Sequence, residues 1–362
     1  MTAAVREVGI EEGIRLAAEG ATVIDVREKA EWDTGHVPGA LLLPIGECAQ
    51  RIGDVVPDRS TPLVLHCAVG ARSGRAAVQL AALGYTNVVT VAADIRQWAP
   101  SGGPWEVGGG GLTDAQRRRY NRQMLIPEVG VEGQQRLLHA KVLLIGAGGL
   151  GSPAGLYLAA AGVGTIGLVD DDVVDESNLQ RQILHTADRI GVKKIDSARA
   201  TIGALNPETR IVGHDERLNA ENVERLIAGY DVILDGTDNF DTRYVLNDAA
   251  VKLRKPVVHG SVYRFDGQVT TFIPFEGPCY RCMYPTMPPP ELAPACDVAG
   301  VLGVLPGLIG ILQATEVIKL VLKIGEPLAG RLLMVDALNT EFSEVKVWRD
   351  PACPACGEGS QL

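Results

Sequence analysis

Short apolar runs alternate with amphipathic stretches along residues 1–100. Three runs have the length and composition of buried strands, namely ATVIDVR (21–27), TPLVLHC (61–67) and NVVTVA (87–92). The stretch RSGRAAVQLAALG, which starts at Arg72, has helical spacing and ends at Gly84, a natural helix stop. The pattern predicts a small α/β unit.

A second alternation begins at His139. The segment HAKVLLIGAGGLGSPAGLYLAAAGVGTIGLVDDD (139–172) predicts a strand, a glycine-rich turn, a helix and a second strand that ends in acidic residues. Strand signals recur in YDVILDGTDN (230–239) and KPVVHGSV (255–262). This order predicts a Rossmann-like, mostly parallel, doubly wound sheet.

The two patterns are separated by APSGGPWEVGGGGLT (99–113), which is rich in glycine and proline and has little to bury. Such a composition is typical of a flexible linker. We therefore predict a first domain over 1–100, a linker over 101–112 and a second domain over 113–362.

The most hydrophobic run starts at Val301 and contains Pro306, Gln313, Glu316 and Lys319. These residues favour a buried helix over a membrane span, because spans tolerate interior charge poorly. The first thirty residues hold scattered acids and no apolar leader, so we expect a cytoplasmic protein with no membrane partner.

Composition is that of an ordinary globular protein, with 46% hydrophobic and 22% charged residues. The formal net charge of −10 argues against a nucleic-acid partner, since such proteins carry a basic patch. Seven cysteines in a chain with no export signal indicate metal binding or catalysis rather than disulfides.

One of these cysteines, Cys67, follows a strand and opens a loop that leads into a helix. The loop amides and the helix N-terminus favour an anion, and Arg72 adds a positive charge. A cysteine in that position is expected to have a lowered pKa and to be reactive. The alternative is a small buried residue, the usual fate of a free cysteine, and the loop by itself leaves both readings open.

Three motifs in this region resemble a rhodanese (sulfurtransferase) domain over residues 5–100: Asp25-Val-Arg27, GHVPGA (35–40) and CAVGARS (67–73). The resemblance implies that Cys67 carries a sulfane sulfur as a persulfide, cradled by the loop amides and Arg72. It also implies that Asp25, Arg27 and His36 hold the fold rather than take part in the chemistry. We interpret Cys48 as structural.

The glycine-rich turn GAGGLGS (146–152) follows a strand and opens a helix, so its backbone can approach a phosphate. Its glycines are candidate nucleotide contacts: Gly146, Gly148, Gly149 and Gly151. Asp170, at the end of the next strand, suits a ribose hydroxyl. This pattern alone is equally compatible with a nicotinamide or flavin cofactor.

Basic residues narrow the choice of ligand for this turn. They lie in RYNRQ (119–123), NLQRQ (178–182) and GVKK (191–194), and a triphosphate needs such cations where a hydride-transfer cofactor does not. The turn contains no Walker lysine, which excludes a P-loop enzyme. Each cation taken alone is an ordinary solvated surface group.

Together with DGTDN (235–239), these segments resemble the MoeB/ThiF family of ubiquitin-activating-like adenylyltransferases over residues 113–362. The resemblance implies ATP as substrate and a homodimer. It assigns Asp170 to the ribose and Asp238 to Mg²⁺ and adenylation. The other implied contacts are phosphate binding by Arg181 and Lys194, pocket lining by Asn178 and Gln182, and Arg122 reaching the phosphates of the other subunit.

Four of the remaining cysteines form two CxxC pairs, Cys279 with Cys282 and Cys353 with Cys356. Two such pairs predict a closed tetrahedral Zn²⁺ site that pins the C-terminal tail, with a redox dithiol as the alternative.

Cys296 lies in a proline-rich stretch that we expect to be a mobile loop. The resemblance implies that Cys296 forms a covalent link to a carrier protein or resolves an acyl-persulfide; the alternative is a bystander thiol.

These expectations combine into one hypothesis. In the family, the substrate is the C-terminal carboxylate of a small ubiquitin-fold sulfur-carrier protein that ends in Gly-Gly, and the Cys67 persulfide would convert the acyl-adenylate to a thiocarboxylate. The sulfur donor would be a cysteine desulfurase or thiosulfate. The carriers of molybdopterin, thiamine, cysteine and tRNA thiolation all fit.

Three rival hypotheses remain. The first is an adenylation-only enzyme whose rhodanese domain is a sulfur reservoir or docking module, and the second is a nucleotide-sensing protein without turnover. The third is a dinucleotide oxidoreductase. One departure bears on the first: in the fused relatives the rhodanese domain follows the adenylating domain, whereas here it precedes it.

Overall fold

The computed structural model describes residues 5–106, 112–287 and 300–360. The chain divides into two compact units, Met1–Gln135 and Arg136–Leu362. Each unit has its own sheet and its own hydrophobic core.

The first unit contains a five-stranded sheet. Its strands are β1 (Arg6–Val8), β2 (Thr22–Asp25), β3 (Leu41–Leu42), β4 (Leu63–His66) and β5 (Val88–Val91). They pair in the order β1-β5-β4-β2-β3, and all four pairings are parallel. The three predicted strands are confirmed, and the inner strands β4 and β5 are buried along their whole length because both faces of the sheet are covered.

Among the residues that the structure describes, five helices belong to this unit: α1 (Ile10–Ala18), α2 (Lys29–Asp33), α3 (Ile45–Val55), α4 (Ala71–Ala82) and α5 (Asp114–Met124). Helix α4 is the predicted helix and begins one residue earlier than the spacing indicated. Its buried side includes Ala76, Ala77 and Leu80, which join Leu65 of β4 in one core cluster. A sixth helix, α6 (Gly130–His139), spans the division between the two units.

The segment predicted to start the linker packs against the first unit. Glu106 exchanges two backbone hydrogen bonds with His36, at 2.7 and 2.8 Å, and the Trp105 ring lies 5.9 Å from the Arg27 guanidinium carbon. The four glycines at 108–111 lie outside the described residues. Helix α5, assigned to the second domain on sequence, falls within the first compact unit.

The second unit contains an eight-stranded sheet. Its strands are β6 (Lys141–Ile145), β7 (Thr165–Val169), β8 (Arg210–His214), β9 (Val232–Asp235), β10 (Val257–Tyr263), β11 (Asp266–Phe272), β12 (Arg331–Asp336) and β13 (Glu341–Lys346). Strands β8-β7-β6-β9-β10 are parallel neighbours, and β11, β12 and β13 continue the sheet in antiparallel pairing. The predicted Rossmann-like, mostly parallel sheet is confirmed.

Six helices lie wholly in the described part of this unit: α7 (Gly151–Ala161), α8 (Lys194–Leu205), α9 (Val223–Ala228), α10 (Phe240–Lys252), α11 (Tyr280–Met283) and α12 (Val304–Leu322). Helix α7 follows β6 directly through the glycine-rich turn. Helix α10 follows β9 through the DGTDN segment. Both connections therefore lie at the carboxyl edge of the parallel strands, where open α/β sheets bind ligands.

Helix α12 is the hydrophobic run from Val301. Among the described residues it is the one helix long and apolar enough to cross a membrane by length and composition. Its two buried polar side chains have partners inside the fold. Gln313 Nε2 donates to the Asp235 carbonyl at 2.7 Å, and Glu316 Oε2 accepts from Thr271 Oγ1 at 3.0 Å. These contacts make α12 a core helix of the second unit, as the sequence predicts.

Candidate active sites and metal centre

The first candidate site is built at the end of β4. Cys67 follows His66 without a gap, and the loop closes on its sulfur. The Gly70 amide donates to Cys67 Sγ at 3.1 Å, and the Ser73 hydroxyl lies 3.6 Å from the same atom. The Cys67 side chain is buried.

This loop favours the thiolate. Burial by itself raises the pKa of Cys67, but hydrogen bonds from Ser73 and from the amides of Val69 and Arg72 outweigh it and lower the pKa. The expectation of a thiol with a lowered pKa is therefore supported by the geometry. The same donors suit the terminal sulfur of a persulfide, which is also an anion at neutral pH.

Arg72 has a partner that the sequence did not indicate. Its guanidinium makes a two-pronged ion pair with Glu31 of α2, with both N–O distances 2.6 Å. Both side chains are about three-quarters buried. Glu31 lies 41 residues before Arg72, so no local motif announces the pair. The loop amides, the Ser73 hydroxyl and the Arg72 side chain all interact with Cys67, and the cradling of a persulfide by Arg72 stays a prediction.

The other residues of the rhodanese-like motifs hold the fold. Arg27 Nη2 donates to Asp25 Oδ2 at 2.6 Å and to the Gly35 carbonyl at 2.7 Å. Asp25 and Arg27 are both buried, and the pair ties the end of β2 to the turn before β3. Cys48 is also buried, and burial raises its pKa to about 11, in keeping with a structural role.

We expect Ser73→Ala to raise the pKa of Cys67, because the variant loses the hydroxyl donor that favours the thiolate. At neutral pH the thiolate fraction falls several-fold, and the difference disappears at alkaline pH, where both proteins are ionised. The measurement is the ultraviolet absorbance of the thiolate against pH, with Cys67→Ala as the blank. Identical midpoints in wild type and Ser73→Ala would show that the hydroxyl has no such effect.

The second candidate site is a cleft of about 600 Å³ at the carboxyl ends of β6, β7 and β9. It brings together eight of the residues singled out on sequence. They are Gly146, Gly148, Gly149, Asp170, Arg181, Gln182, Lys194 and Asp238. Segments far apart in the chain thus converge at one sheet edge.

Gly151 and Asn178 do not line this cleft. A Cβ on Gly151 would lie 2.0 Å from the Gly146 carbonyl oxygen, so Gly151 is required for the close packing of α7 on the turn. Asn178 acts through its backbone carbonyl, which accepts the amides of Arg181 at 3.1 Å and Gln182 at 2.9 Å. Both residues shape the segments that line the cleft.

Asp170 ties the glycine-rich turn to β7. Its Oδ2 accepts the Ala147 amide at 2.8 Å. Below the turn, His185 Nε2 donates to the Ala147 carbonyl at 2.9 Å and Nδ1 accepts from the Ser197 hydroxyl at 3.0 Å. Burial lowers the pKa of His185, so the ring is neutral and can make both bonds. The sequence reasoning missed His185, which lies just beyond the NLQRQ motif.

Two polar groups in the cleft suit a nucleotide. Lys194 is 5% exposed, and its ammonium pairs with Asp172 Oδ2 at 2.8 Å, a carboxylate that is largely exposed. Gln182 is also 5% exposed, and its Oε1 has no hydrogen-bond partner within the described part of the chain. A buried cation beside a solvent-exposed acid and an unsatisfied buried acceptor fit a ligand that carries both phosphates and donor groups.

Asp238 lines the cleft and is exposed. Asp235, at the start of the same loop, anchors the loop by hydrogen bonds. Asp235 Oδ1 accepts from the Thr237 amide at 3.0 Å and from its hydroxyl at 2.7 Å. His259 Nδ1 donates to Asp235 Oδ2 at 2.7 Å. Burial alone raises the pKa of Asp235, but hydrogen bonds from His259 and Thr237 hold it below the usual value. An exposed carboxylate beside this cleft fits Mg²⁺, which takes few protein ligands.

Two further residues, Arg122 and Cys296, complete the set predicted on sequence. Arg122 is exposed on α5, within the first compact unit. Cys296 lies outside the described residues. Their predicted roles stay predictions.

The two CxxC pairs meet as predicted. The four sulfurs of Cys279, Cys282, Cys353 and Cys356 lie within 4.8 Å of one another, with Cys279–Cys353 at 3.6 Å and Cys282–Cys356 at 3.4 Å. Sulfurs bound to one Zn²⁺ at about 2.3 Å lie about 3.8 Å apart, so the cluster fits a tetrahedral ion. The cluster joins α11 to the C-terminal tail, and Asp248 pairs with Arg281 beside it at 2.7 Å.

We expect Cys353→Ser to lose a bound zinc ion and to lower the melting temperature by about 5 °C or more. The reason is that the metal replaces a hydrophobic core in holding the tail to α11. Zinc per chain is measured by inductively coupled plasma mass spectrometry, beside a thermal melt. Cys67→Ser is the control and keeps the metal. A Cys353→Ser protein with full zinc and an unchanged melt would contradict the site.

Comparison with known proteins covers both units. The ThiF family matches residues 120–355, and the rhodanese-like domain family matches residues 11–101. A sulfur carrier protein adenylyltransferase of Thermus thermophilus is 50% identical over 245 residues, which are 66% of this chain and 90% of that protein.

A probable adenylyltransferase/sulfurtransferase MoeZ of Mycobacterium tuberculosis is 52% identical over 244 residues, 66% of this chain and 62% of that protein. Among solved structures, Escherichia coli MccB in complex with MccA-N7isoASN has a TM-score of 0.61 at 21% identity, over 70% of this chain and 78% of that one. This structural likeness supports the fold.

Proposed function

Because the chain belongs to the ThiF family and carries a rhodanese-like domain before it, we propose that it is a bifunctional adenylyltransferase and sulfurtransferase. It adenylates the C-terminal Gly-Gly carboxylate of a small ubiquitin-fold sulfur-carrier protein. It then converts that terminus to a thiocarboxylate with sulfur from a Cys67 persulfide. The names of the two curated relatives, which describe a sulfur-carrier adenylyltransferase and an adenylyltransferase/sulfurtransferase, support this proposal.

The observation that carries the proposal is the cleft that gathers Gly146, Asp170, Arg181, Lys194 and Asp238. A carboxylate is a poor electrophile, and attack on the α-phosphate of ATP gives an acyl-adenylate with AMP as a good leaving group. The cations stabilise the charge that builds on the departing pyrophosphate. Asp238 would hold Mg²⁺, which would supply positive charge against the negative charge of the phosphates.

Sulfur transfer takes two steps. The terminal sulfur of the Cys67 persulfide attacks the acyl carbon and AMP leaves, which gives an acyl disulfide on Cys67. A thiolate, from Cys296 or from another molecule, then attacks the Cys67 sulfur. The S–S bond breaks, the carrier leaves as a thiocarboxylate, and a disulfide to Cys67 remains for an external thiol to reduce. The loop amides around Cys67 stabilise the persulfide anion before the attack.

The remaining parts of the proposal concern assembly. The protein acts as a homodimer in the cytoplasm, with Arg122 of one subunit reaching the phosphates bound by the other, and Zn²⁺ occupies the four-cysteine cluster. A cysteine desulfurase or thiosulfate loads Cys67. Because both domains belong to one chain, Cys67 would have a high effective concentration near the acyl-adenylate.

The test uses recombinant ubiquitin-fold carriers that end in Gly-Gly, Mg-ATP and thiosulfate. The proposal predicts carrier-dependent ATP–pyrophosphate exchange and a carrier whose intact mass shows oxygen replaced by sulfur. The matched control is the same carrier without its last glycine, which supports neither. ATP–pyrophosphate exchange without any change in the carrier's mass, with thiosulfate and with a cysteine desulfurase as sulfur donors, would instead favour an adenylation-only enzyme. Its rhodanese domain would then be a sulfur reservoir or a docking module.

A further inference from the structure

A second, much smaller cavity lies behind the loop that carries Asp238. It measures about 10 Å³, and its lining includes Asp235, Arg243, Asn247 and Tyr280. Arg243 lines both this cavity and the nucleotide cleft. This is about the smallest cavity that can hold one water molecule.

Two polar atoms of that lining have no partner within the described residues: Arg243 Nε and the Tyr280 hydroxyl. Arg243 is 7% exposed and Tyr280 is 2% exposed. Buried donors and acceptors are nearly always satisfied, and one water of this size can bond to both. Both side chains line the same cavity, so a shared water is the economical way to satisfy them.

The other end of Arg243 holds the loop. Its Nη2 donates to the Thr237 carbonyl at 2.7 Å, while the amide and hydroxyl of Thr237 donate to Asp235. Thr237 is therefore bound on both of its backbone polar groups. Asp238 is the next residue, so the position of its carboxylate depends on this anchorage.

Tyr280 is held rigidly at its own end. It lies between Cys279 and Cys282, its amide donates to Asn247 Oδ1 at 2.8 Å, and its ring packs edge-on against His259 with centroids 5.3 Å apart. The phenol therefore enters the cavity from a segment fixed by the cysteine cluster and by α10. The hydroxyl has little freedom to find another partner.

We propose that Tyr280 is a positioning residue for adenylation: through one buried water shared with Arg243, it fixes the guanidinium that holds Thr237 and thereby the loop that presents Asp238. This inference rests on the proposed adenylation. It also gives the cysteine cluster a second role besides holding the tail, because the cluster fixes the position of the Tyr280 phenol.

The test is Tyr280→Phe, which keeps the ring and removes only the hydroxyl. We expect kcat of ATP–pyrophosphate exchange to fall about tenfold while KM for ATP stays within about twofold, because the glycine-rich turn and Lys194 are untouched. Amide hydrogen exchange over 236–239 becomes faster, and zinc content is unchanged. The control is Tyr284→Phe, an adjacent tyrosine whose ring centroid lies 5.1 Å from that of Tyr280 and which does not line the cavity.

A merely structural hydroxyl gives a different result. If the Tyr280 hydroxyl is unsatisfied, its removal relieves a buried polar group and raises the melting temperature, with kcat and loop exchange unchanged. That result, or equal losses in both tyrosine variants, would overturn the proposal.

The second variant is Arg243→Lys, which keeps the charge but removes both Nε and the Nη2 donor to Thr237. The proposal expects the double variant with Tyr280→Phe to be no slower than Arg243→Lys alone, since both changes break one network. Fully additive losses would overturn it. If wild type shows no exchange with any Gly-Gly carrier, the proposed function fails, and loop hydrogen exchange still decides the role of Tyr280.

Discussion

Asp238→Asn lowers the rate of carrier-dependent ATP–pyrophosphate exchange by about a hundredfold, which corresponds to about 2.7 kcal/mol of barrier. The substitution keeps the size of the side chain and removes its negative charge. A neutral amide binds Mg²⁺ less well than a carboxylate, so the charge on the phosphates is less effectively neutralised in the transition state. The loop itself stays anchored, because Thr237 keeps its bonds to Asp235 and Arg243.

The measurement is exchange of labelled pyrophosphate into ATP over a series of Mg²⁺ concentrations. Asp241→Asn is the control, because Asp241 is an exposed acid three residues further on that does not line the cleft. We expect the control to match wild type. An Asp238→Asn enzyme that retains more than half of the wild-type rate at low Mg²⁺ would show that Asp238 is not the magnesium residue.

Cys67→Ser abolishes thiocarboxylate formation and leaves exchange within about twofold of wild type. Serine cannot carry a sulfane sulfur, since the persulfide needs an S–S bond. Adenylation is unaffected because every residue lining the nucleotide cleft lies in the second unit. The exchange of one sulfur atom for oxygen is thus expected to separate sulfur transfer from adenylation.

The control for this prediction is Cys48→Ala. Cys48 belongs to the same core cluster as Cys67, and its raised pKa leaves it a thiol at neutral pH. We expect Cys48→Ala to retain sulfur transfer. The readout is the intact mass of the carrier after reaction with Mg-ATP and thiosulfate. Full thiocarboxylate formation by Cys67→Ser would mean that the sulfur reaches the carrier without the rhodanese loop.

Much of both sites was predictable because parallel strands end at the same edge of their sheet. Apolar periodicity locates the ends of β4, β7 and β9, and the residues that follow them are Cys67, Asp170 and the DGTDN segment. Glycine spacing likewise locates the turn before α7. These are local signals, and the fold brings them together without needing any particular side-chain contact.

The residues that the sequence did not reveal act through pairs distant in the chain. Glu31 reaches Arg72 from another helix, and Asp172 reaches Lys194 from the end of β7. Tyr280 meets Arg243 in a cavity that exists only once α10, β9 and the cysteine cluster have packed. No periodicity announces such pairs, because tertiary packing alone creates them. Trp105 and Glu106, which the sequence assigned to the linker, likewise find partners in the first unit through contacts that no local pattern predicts.

The central claim is that one chain supplies both the activated acyl group and the sulfur that attacks it. The direct measurement is a single turnover with sulfur-34 loaded on Cys67 from labelled thiosulfate, all free donor removed, and a Gly-Gly carrier added with Mg-ATP. The account predicts a carrier thiocarboxylate that contains sulfur-34, in an amount no greater than the loaded persulfide. Release of pyrophosphate together with an unlabelled, sulfur-free carrier, and a persulfide that stays on Cys67, would contradict it.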